Sequence, residues 1–242
     1  MSATGERSTD PREPVRATAQ EAGLIAGGVT AGTGLAVAFA FNPSRAGSLT
    51  ALAALGYLYL VLAAVTVLWL RRRGELRAAL RPAYGDLSAG ALLAALLYGA
   101  AMGAALLIAP RASGREAWLM RLYLQLGDPA ADGRVLVGGF VFVIAALEEV
   151  TWRGLVMRAL EGPLGPARAW VLSSALYAAA HLPALFLLAD PTAGLNPLVV
   201  AAAFGCGLVW ARVVHRTGRL TLAMFAHALF SWAVVSFPLW RP

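Results

Sequence analysis

The sequence contains no lysine and a single cysteine, and only 14% of its 242 residues are charged. The lone Cys206 excludes an intramolecular disulfide and any metal cluster built from several cysteines. With 59% hydrophobic residues, the chain is too apolar for a soluble domain and belongs to the polytopic membrane class. Because the arginines cluster at the ends of apolar runs, we interpret the net charge of +7 as an orientation signal and expect no nucleic-acid partner.

Residues 1–20 lack the short apolar core of a cleaved signal peptide, so we interpret them as a polar N-terminal tail. Residues 21–242 show no internal repeat and are expected to form one transmembrane domain. Since about 20 apolar residues cross a bilayer, we predict an all-α transmembrane helix bundle of about seven to eight spans with an intramembrane cavity. The spans are predicted at residues 22–42, 48–70, 88–109, 135–158, 168–189, 196–214 and 219–239.

Two small-residue spacings within these spans predict close packing between helices. They are Gly28-x-x-x-Gly32 and Gly99-x-x-x-Gly103. Glycines four apart lie on one face of a helix and let another backbone approach closely, but such spacings are common by chance in Gly/Ala-rich spans, so we use them only as hints of packing.

The arginines predict the orientation of the bundle. The loop 71–81 carries five arginines and should be cytoplasmic, which also places the N-terminal tail on that side. The opposite side has a longer loop, in which residues 116–126 look amphipathic and are expected to lie in the membrane interface. Arginine-only basic usage and compact loops favour a bacterial inner (plasma) membrane.

The residues with the highest free-energy cost of insertion into the membrane are the adjacent Glu148 and Glu149. One carboxylate near the centre of a membrane helix costs roughly 3 kcal/mol, so two in a row indicate a function. Glu149 and Arg153 are four residues apart, share a helix face and can form an ion pair. Glu148 points about 100° away and has Trp152 at the i+4 position. One glutamate is therefore expected to be paired and the other to be available for chemistry.

Two intramembrane histidines, His181 and His227, lie on other spans at a depth similar to that of Glu148. At 1.5 Å per residue, the three side chains lie roughly 12–20 Å from the cytoplasmic side. Tyr177 precedes His181 by one turn, and Ser231 follows His227 by one turn. This pattern predicts one cavity shared by three spans.

Such a cavity allows two hydrolytic schemes and two alternatives. Glu148 beside His181 can activate water as a general base, while His227 and a hydroxyl stabilise an oxyanion. Glu148, His181 and His227 can instead hold a divalent metal such as zinc, with an open water position. The Gly-x-Ser-x-Gly and His-Glu-x-x-His motifs are absent. The alternatives are purely structural pairing of the glutamates, and a proton relay in a proton-linked transporter.

The order and spacing of these residues resemble the three-motif signature of the CPBP intramembrane proteases. This family includes the CAAX prenyl proteases and the bacteriocin-processing, or Abi, proteins. The resemblance covers about residues 130–235. It rests on Glu148-Glu149-x-x-x-Arg153, on Tyr177-x-x-x-His181 and on His227-x-x-x-Ser231.

The resemblance implies a protease of glutamate or metalloprotease type, with zinc as the possible cofactor. It implies that Glu148 and His181 activate water and that His227 holds the oxyanion. Glu149, Arg153 and Tyr177 would shape the site. The expected substrate is a membrane-associated protein or peptide other than a prenylated CAAX protein.

The sequence departs from the family pattern at Ser231, where the final motif usually has asparagine or aspartate. A serine hydroxyl donates one hydrogen bond, whereas an amide has two donor hydrogens. Losing one oxyanion donor costs roughly 10²–10³ in rate where that donor matters. The departure leaves a non-catalytic relative, such as an immunity or scaffolding protein, as the alternative function.

Overall fold

The computed structural model describes residues 17–110, 113–127 and 134–239, and over these residues the regular structure is helical throughout. Most of the predicted polar tail therefore lies outside the described residues. The long helices are α1 (Ala19–Ala40), α2 (Leu49–Arg72), α4 (Asp86–Ile108), α6 (Arg134–Thr151), α8 (Pro166–Ala180), α10 (Leu198–Thr217) and α11 (Thr221–Ser236). The short helices are α3 (Leu76–Leu80), α5 (Glu116–Gln125), α7 (Met157–Leu164) and α9 (Leu182–Leu187).

The predicted all-α membrane fold is confirmed. Six of the described spans are long and apolar enough to cross a membrane, with α6 continuing through α7 as Val135–Leu164 and α8 through α9 as Pro166–Leu187. Helix α11 has only 16 residues, about 24 Å at 1.5 Å per residue, and corresponds to the seventh predicted span. The amphipathic segment predicted at 116–126 forms helix α5. The chain is therefore an integral membrane protein.

The centre of the bundle is the pair α6 and α11. Helix α6 packs on α11 and α2, α11 also packs on α4, and α10 packs on α8. The close approach of α6 to α11 depends on Gly138, where an added Cβ would lie 3.1 Å from Cδ1 of Trp232. At all four glycines of the two predicted packing motifs, an added Cβ would meet no described atom within 4 Å. The predicted close packing through those motifs is therefore wrong, because those faces do not meet another helix.

Charged contacts hold together the end of the bundle that carries residues 71–86, 158–168 and 212–221, here called the arginine end. Arg158 pairs with Glu75 at 3.0 Å and donates to the carbonyl oxygen of Gly218 at 2.8 Å. Arg219 pairs with Asp86 at 3.0 Å. These contacts fix the loop of α3 against the turn between α10 and α11.

The opposite end, residues 40–49, 113–127 and 188–198, is here called the α5 end. Gln125 of α5 donates to the carbonyl oxygen of Ala40 at 2.6 Å, and Arg121 pairs with Asp190 at 3.4 Å. Backbone N–H groups, first that of Thr192 and then that of Ala193, hold the pKa of Asp190 below its usual range. Helix α5 is thereby tied across the ends of the spans.

Candidate active site

The two glutamates sit just before an irregular turn of their helix. Between α6 and α7, residues Trp152–Val156 form one wider, π-type turn, a feature frequent at functional sites. Glu149 is fully buried, and its Oε1 accepts from Arg153 at 3.1 Å, so the ion pair expected from the i,i+4 spacing is present. Arg153 also donates to the carbonyl oxygen of Gly207 at 2.8 Å. An added Cβ at Gly207 would lie 3.2 Å from this guanidinium, so only glycine leaves it room.

Glu148 has weaker partners than Glu149. Its Oε2 accepts from the hydroxyl of Tyr177 at 2.9 Å and lies 3.6 Å from Nε2 of His227. Its side chain keeps 12% exposure, whereas that of Glu149 has none. Glu148 therefore stays accessible, whereas Glu149 is enclosed, with its Oε2 buried and without a hydrogen-bond partner among the described residues.

His227 connects the two glutamates. Its Nδ1 donates to Oε1 of Glu149 at 2.8 Å, while Nε2 is directed at Glu148. The ring of Trp210 stacks on the imidazole with centroids 3.6 Å apart and planes at 19°. These contacts fix the ring in position and in rotation, and no sequence pattern indicated that His227 would bind Glu149.

His181 lies at the break between α8 and α9. Pro183 in the first turn of α9 cannot donate to the preceding turn, so the chain bends at His181. The Nδ1 of His181 lies 2.8 Å from the carbonyl oxygen of Tyr177. A carbonyl only accepts, so Nδ1 carries the hydrogen and Nε2 keeps its lone pair. The Tyr177 ring, edge-on at 4.7 Å, separates His181 from the other ionisable groups.

Side chains of the second and third motifs meet at a cavity of about 490 Å³ lined by α4, α5, α8, α10 and α11. Tyr177, His181 and His227 contribute to its lining. Glu148 and the half-buried Ser231 are not among the side chains that line this cavity. The three motifs are therefore close in space, with Glu148 joined to the cavity through its contacts with Tyr177 and His227 and with Ser231 set to one side.

One further site residue comes from the first half of the chain. Tyr59 of α2 is fully buried, its hydroxyl accepts from Nε1 of Trp152 at 3.3 Å, and it interacts with the carboxylate of Glu148. Tyr57, two residues earlier, is 72% exposed. Both tyrosines lie in the same apolar run, and the pattern of the sequence did not distinguish the one that faces the site.

The zinc site that the sequence allowed as an alternative does not fit the described side chains. Among them, no group of three His, Cys, Asp or Glu residues is arranged to hold a metal ion. His227 faces the two carboxylates directly, through Nδ1 to Glu149 and through Nε2 to Glu148. The reaction that these residues support is therefore one carried out by side chains alone.

Comparison with known proteins agrees with this geometry. No curated protein and no solved structure matches the chain significantly. Residues 131–233 match the family model described as type II CAAX prenyl endopeptidase Rce1-like. This range contains all three motifs and coincides closely with the predicted 130–235, so the resemblance is confirmed. The matched region, residues 131–233 from α6 to α11, is therefore similar to the CAAX protease family.

Proposed function

We propose that the chain is an intramembrane endopeptidase that hydrolyses a peptide bond of a membrane-associated protein or peptide, with Glu148 as the general base. One observation carries this proposal. Of two adjacent carboxylates, Glu149 is buried between Arg153 and His227, whereas Glu148 stays partly exposed and contacts Tyr177 and His227, which line the cavity. A partly exposed carboxylate can deprotonate water, and the free lone pair of His181, on the other side of the Tyr177 ring, is a second base that lines the same cavity.

In the proposed reaction, water attacks the scissile carbonyl carbon as its proton passes to Glu148 or to Nε2 of His181. The new C–O bond gives a tetrahedral intermediate. Its C–N bond then breaks as the same proton is delivered to the leaving amine, which regenerates the base. General acid–base catalysis of this kind contributes roughly 10²–10⁴ in rate.

His227 is the proposed oxyanion donor. Its Nδ1 already donates to Glu149, so an N–H on Nε2 makes the ring positively charged. Two negative carboxylates, Glu148 and Glu149, then balance the two positive groups Arg153 and His227, which lowers the cost of burying all four. Because the ring is fixed, the developing oxyanion must approach this Nε2–H, which lies 3.6 Å from Glu148 and so is not held in a short hydrogen bond. Ser231, one turn further along α11 and outside the cavity lining, is the proposed second donor through a bridging water.

The proposed location is a bacterial inner membrane, with the arginine end and the N-terminus in the cytoplasm. The described arginines of the loop 71–81, together with Arg158, Arg168 and those of 212–219, support this orientation, since they gather at one end of the bundle. Membrane lipid and a membrane-associated substrate are the proposed partners.

Cleavage by the purified protein in proteoliposomes tests the proposal. The probe is a fluorogenic peptide with one apolar membrane-spanning segment. Replacement of Glu148 by Gln, which keeps the shape and removes the base, is expected to lower the rate at least about 10²-fold. Glu75→Gln, at the arginine end, is the matched control and should cleave like the parent. Equal rates for the parent and Glu148→Gln would contradict the proposal.

A further inference from the structure

The middle of the two long walls of the cavity is made mainly of small apolar residues that face outwards. On α4 these include Ala100 and Ala104, and on α10 they include Ala201, Ala202 and Gly205. All five are exposed on the surface of the bundle. Since apolar surface on a membrane helix faces lipid, the space between α4 and α10 is a cleft that opens sideways into the bilayer.

The ends of the cleft are less accessible than its side. Leu119 and Leu122 of α5 contribute to its lining, and Leu119 is buried against Ala105 of α4 and Ala109, the residue that follows this helix. At the end of the cleft nearest His227, access is restricted by Trp210, which is 2% exposed and stacks on the imidazole. The approach with the least obstruction to the catalytic side chains is therefore from lipid.

The cleft lies in one half of the membrane. The parts of α4 and α10 that line it are residues 97–108 and 198–210, which are the halves of these helices nearest the α5 end. A second cavity, of about 630 Å³, lies at the arginine end between α4, α6 and α11, but the three motifs contribute no side chain to its lining. The cavity lined by Tyr177 and His227, the two groups that contact Glu148, is thus accessible from the α5 end.

We propose that substrate enters the active site sideways from the bilayer, through the cleft between α4 and α10, in the membrane half next to the α5 end. This inference rests on the proposed protease function and deepens it. The substrate class is a protein with a membrane-inserted segment whose scissile bond lies in that half. With the arginine end in the cytoplasm, this is the half away from the cytoplasm.

The chemistry of the walls restricts the segment that fits. Alanine and glycine walls leave space for large apolar side chains near the scissile bond. A charged residue there would lose water without gaining a partner on either wall, which is strongly unfavourable at membrane depth. Substrates are therefore expected to carry bulky apolar residues, and no charge, next to the scissile bond.

Bulky substitutions in the cleft test the route, again with the membrane-spanning fluorogenic peptide in proteoliposomes. Ala104→Trp and Ala202→Trp narrow the two walls and are expected to lower cleavage about tenfold or more. Leu107→Trp is the matched control on the same helix, since Leu107 is 83% exposed and is not in the lining. Met224→Trp narrows the cavity at the arginine end. Both controls should cleave within about twofold of the parent. Parent-like cleavage by both alanine variants, or a block by Met224→Trp, would overturn the route.

The single cysteine provides an independent test, because Cys206 lines the cleft. In the Glu148→Gln background, the peptide carries one cysteine beside its scissile bond. Added diamide takes up two electrons and two protons from the two thiols as the disulfide forms. We expect a cross-link to Cys206 that disappears with Cys206→Ala. The double substitution Cys206→Ala, Met224→Cys moves the thiol to the other cavity and should give none.

The two tests separate failure of the route from failure of the function. Glu148-dependent cleavage with a cross-link at position 224 and none at Cys206 would overturn the entry route and leave the protease function standing. A parent protein whose cleavage does not depend on Glu148 would overturn the function itself, and with it the route.

Discussion

Two cavities of similar size lie on opposite faces of α11, and they differ in the state of their acidic residues. At the arginine end, Asp86 accepts from the hydroxyl of Thr221 at 2.7 Å, from the backbone N–H of Ala83 at 2.8 Å and from Arg219 at 3.0 Å. Near the other cavity, Glu148 accepts from the hydroxyl of Tyr177, interacts with Tyr59 and faces His227 at 3.6 Å, and its side chain keeps 12% exposure. The first carboxylate is saturated and cross-links helices, whereas the second stays accessible to water. The proposed site of the chemistry rests on this accessible carboxylate more than on cavity volume.

The largest expected effect on stability comes from removing one arginine from each region. Arg153→Met leaves the buried Glu149 with a single partner, and breaking a buried pair costs about 3–5 kcal/mol of stability. Arg219→Met breaks a pair in which the arginine is 31% exposed, so the expected loss is at most about 1 kcal/mol. Unfolding by denaturant in detergent, followed by circular dichroism, measures both. Equal losses would contradict the distinction between the two networks.

A second test compares polar groups on the two faces of α11. His227→Gln removes the proposed oxyanion donor and is expected to lower kcat about 10²–10³-fold, with KM changed little. Thr221→Val removes a donor to Asp86 at the arginine end and should leave kcat unchanged within about twofold. Peptide cleavage at a series of substrate concentrations separates kcat from KM. A rise in KM with constant kcat would mean that His227 binds substrate in the ground state instead.

The sequence predicted the spans and the convergence of the motifs because both depend on features that lie along the chain. A run of apolar residues sets the length of a span, and the distance of Glu148, His181 and His227 from the arginines sets their depth.

The rotation of each helix about its axis could not be predicted in the same way. The membrane-facing and core-facing sides of these helices are both apolar, so no pattern marks the side that packs. The glycine spacings in α1 and α4 were misassigned for this reason, and Tyr59 was missed. The contact of His227 with Glu149 was missed too, because it depends on the rotation of α6 relative to α11.

The smallest expected effect on the cleavage rate comes from substituting Tyr59, compared with Tyr57, which the sequence pattern did not distinguish from it. Tyr59→Phe removes a buried hydroxyl that contacts Trp152 and Glu148, and losing one neutral hydrogen bond costs about 0.5–1.5 kcal/mol, roughly two- to tenfold in rate if the loss falls on the transition state. Tyr57→Phe, at the exposed neighbouring position, should change nothing. Because Tyr59 is proposed to act through Glu148, kcat should fall at constant KM, and the substitution should have no further effect in the Glu148→Gln background. Equal fractional losses in both backgrounds would show that Tyr59 only supports the fold, since a structural defect lowers the rate whether or not the base is present.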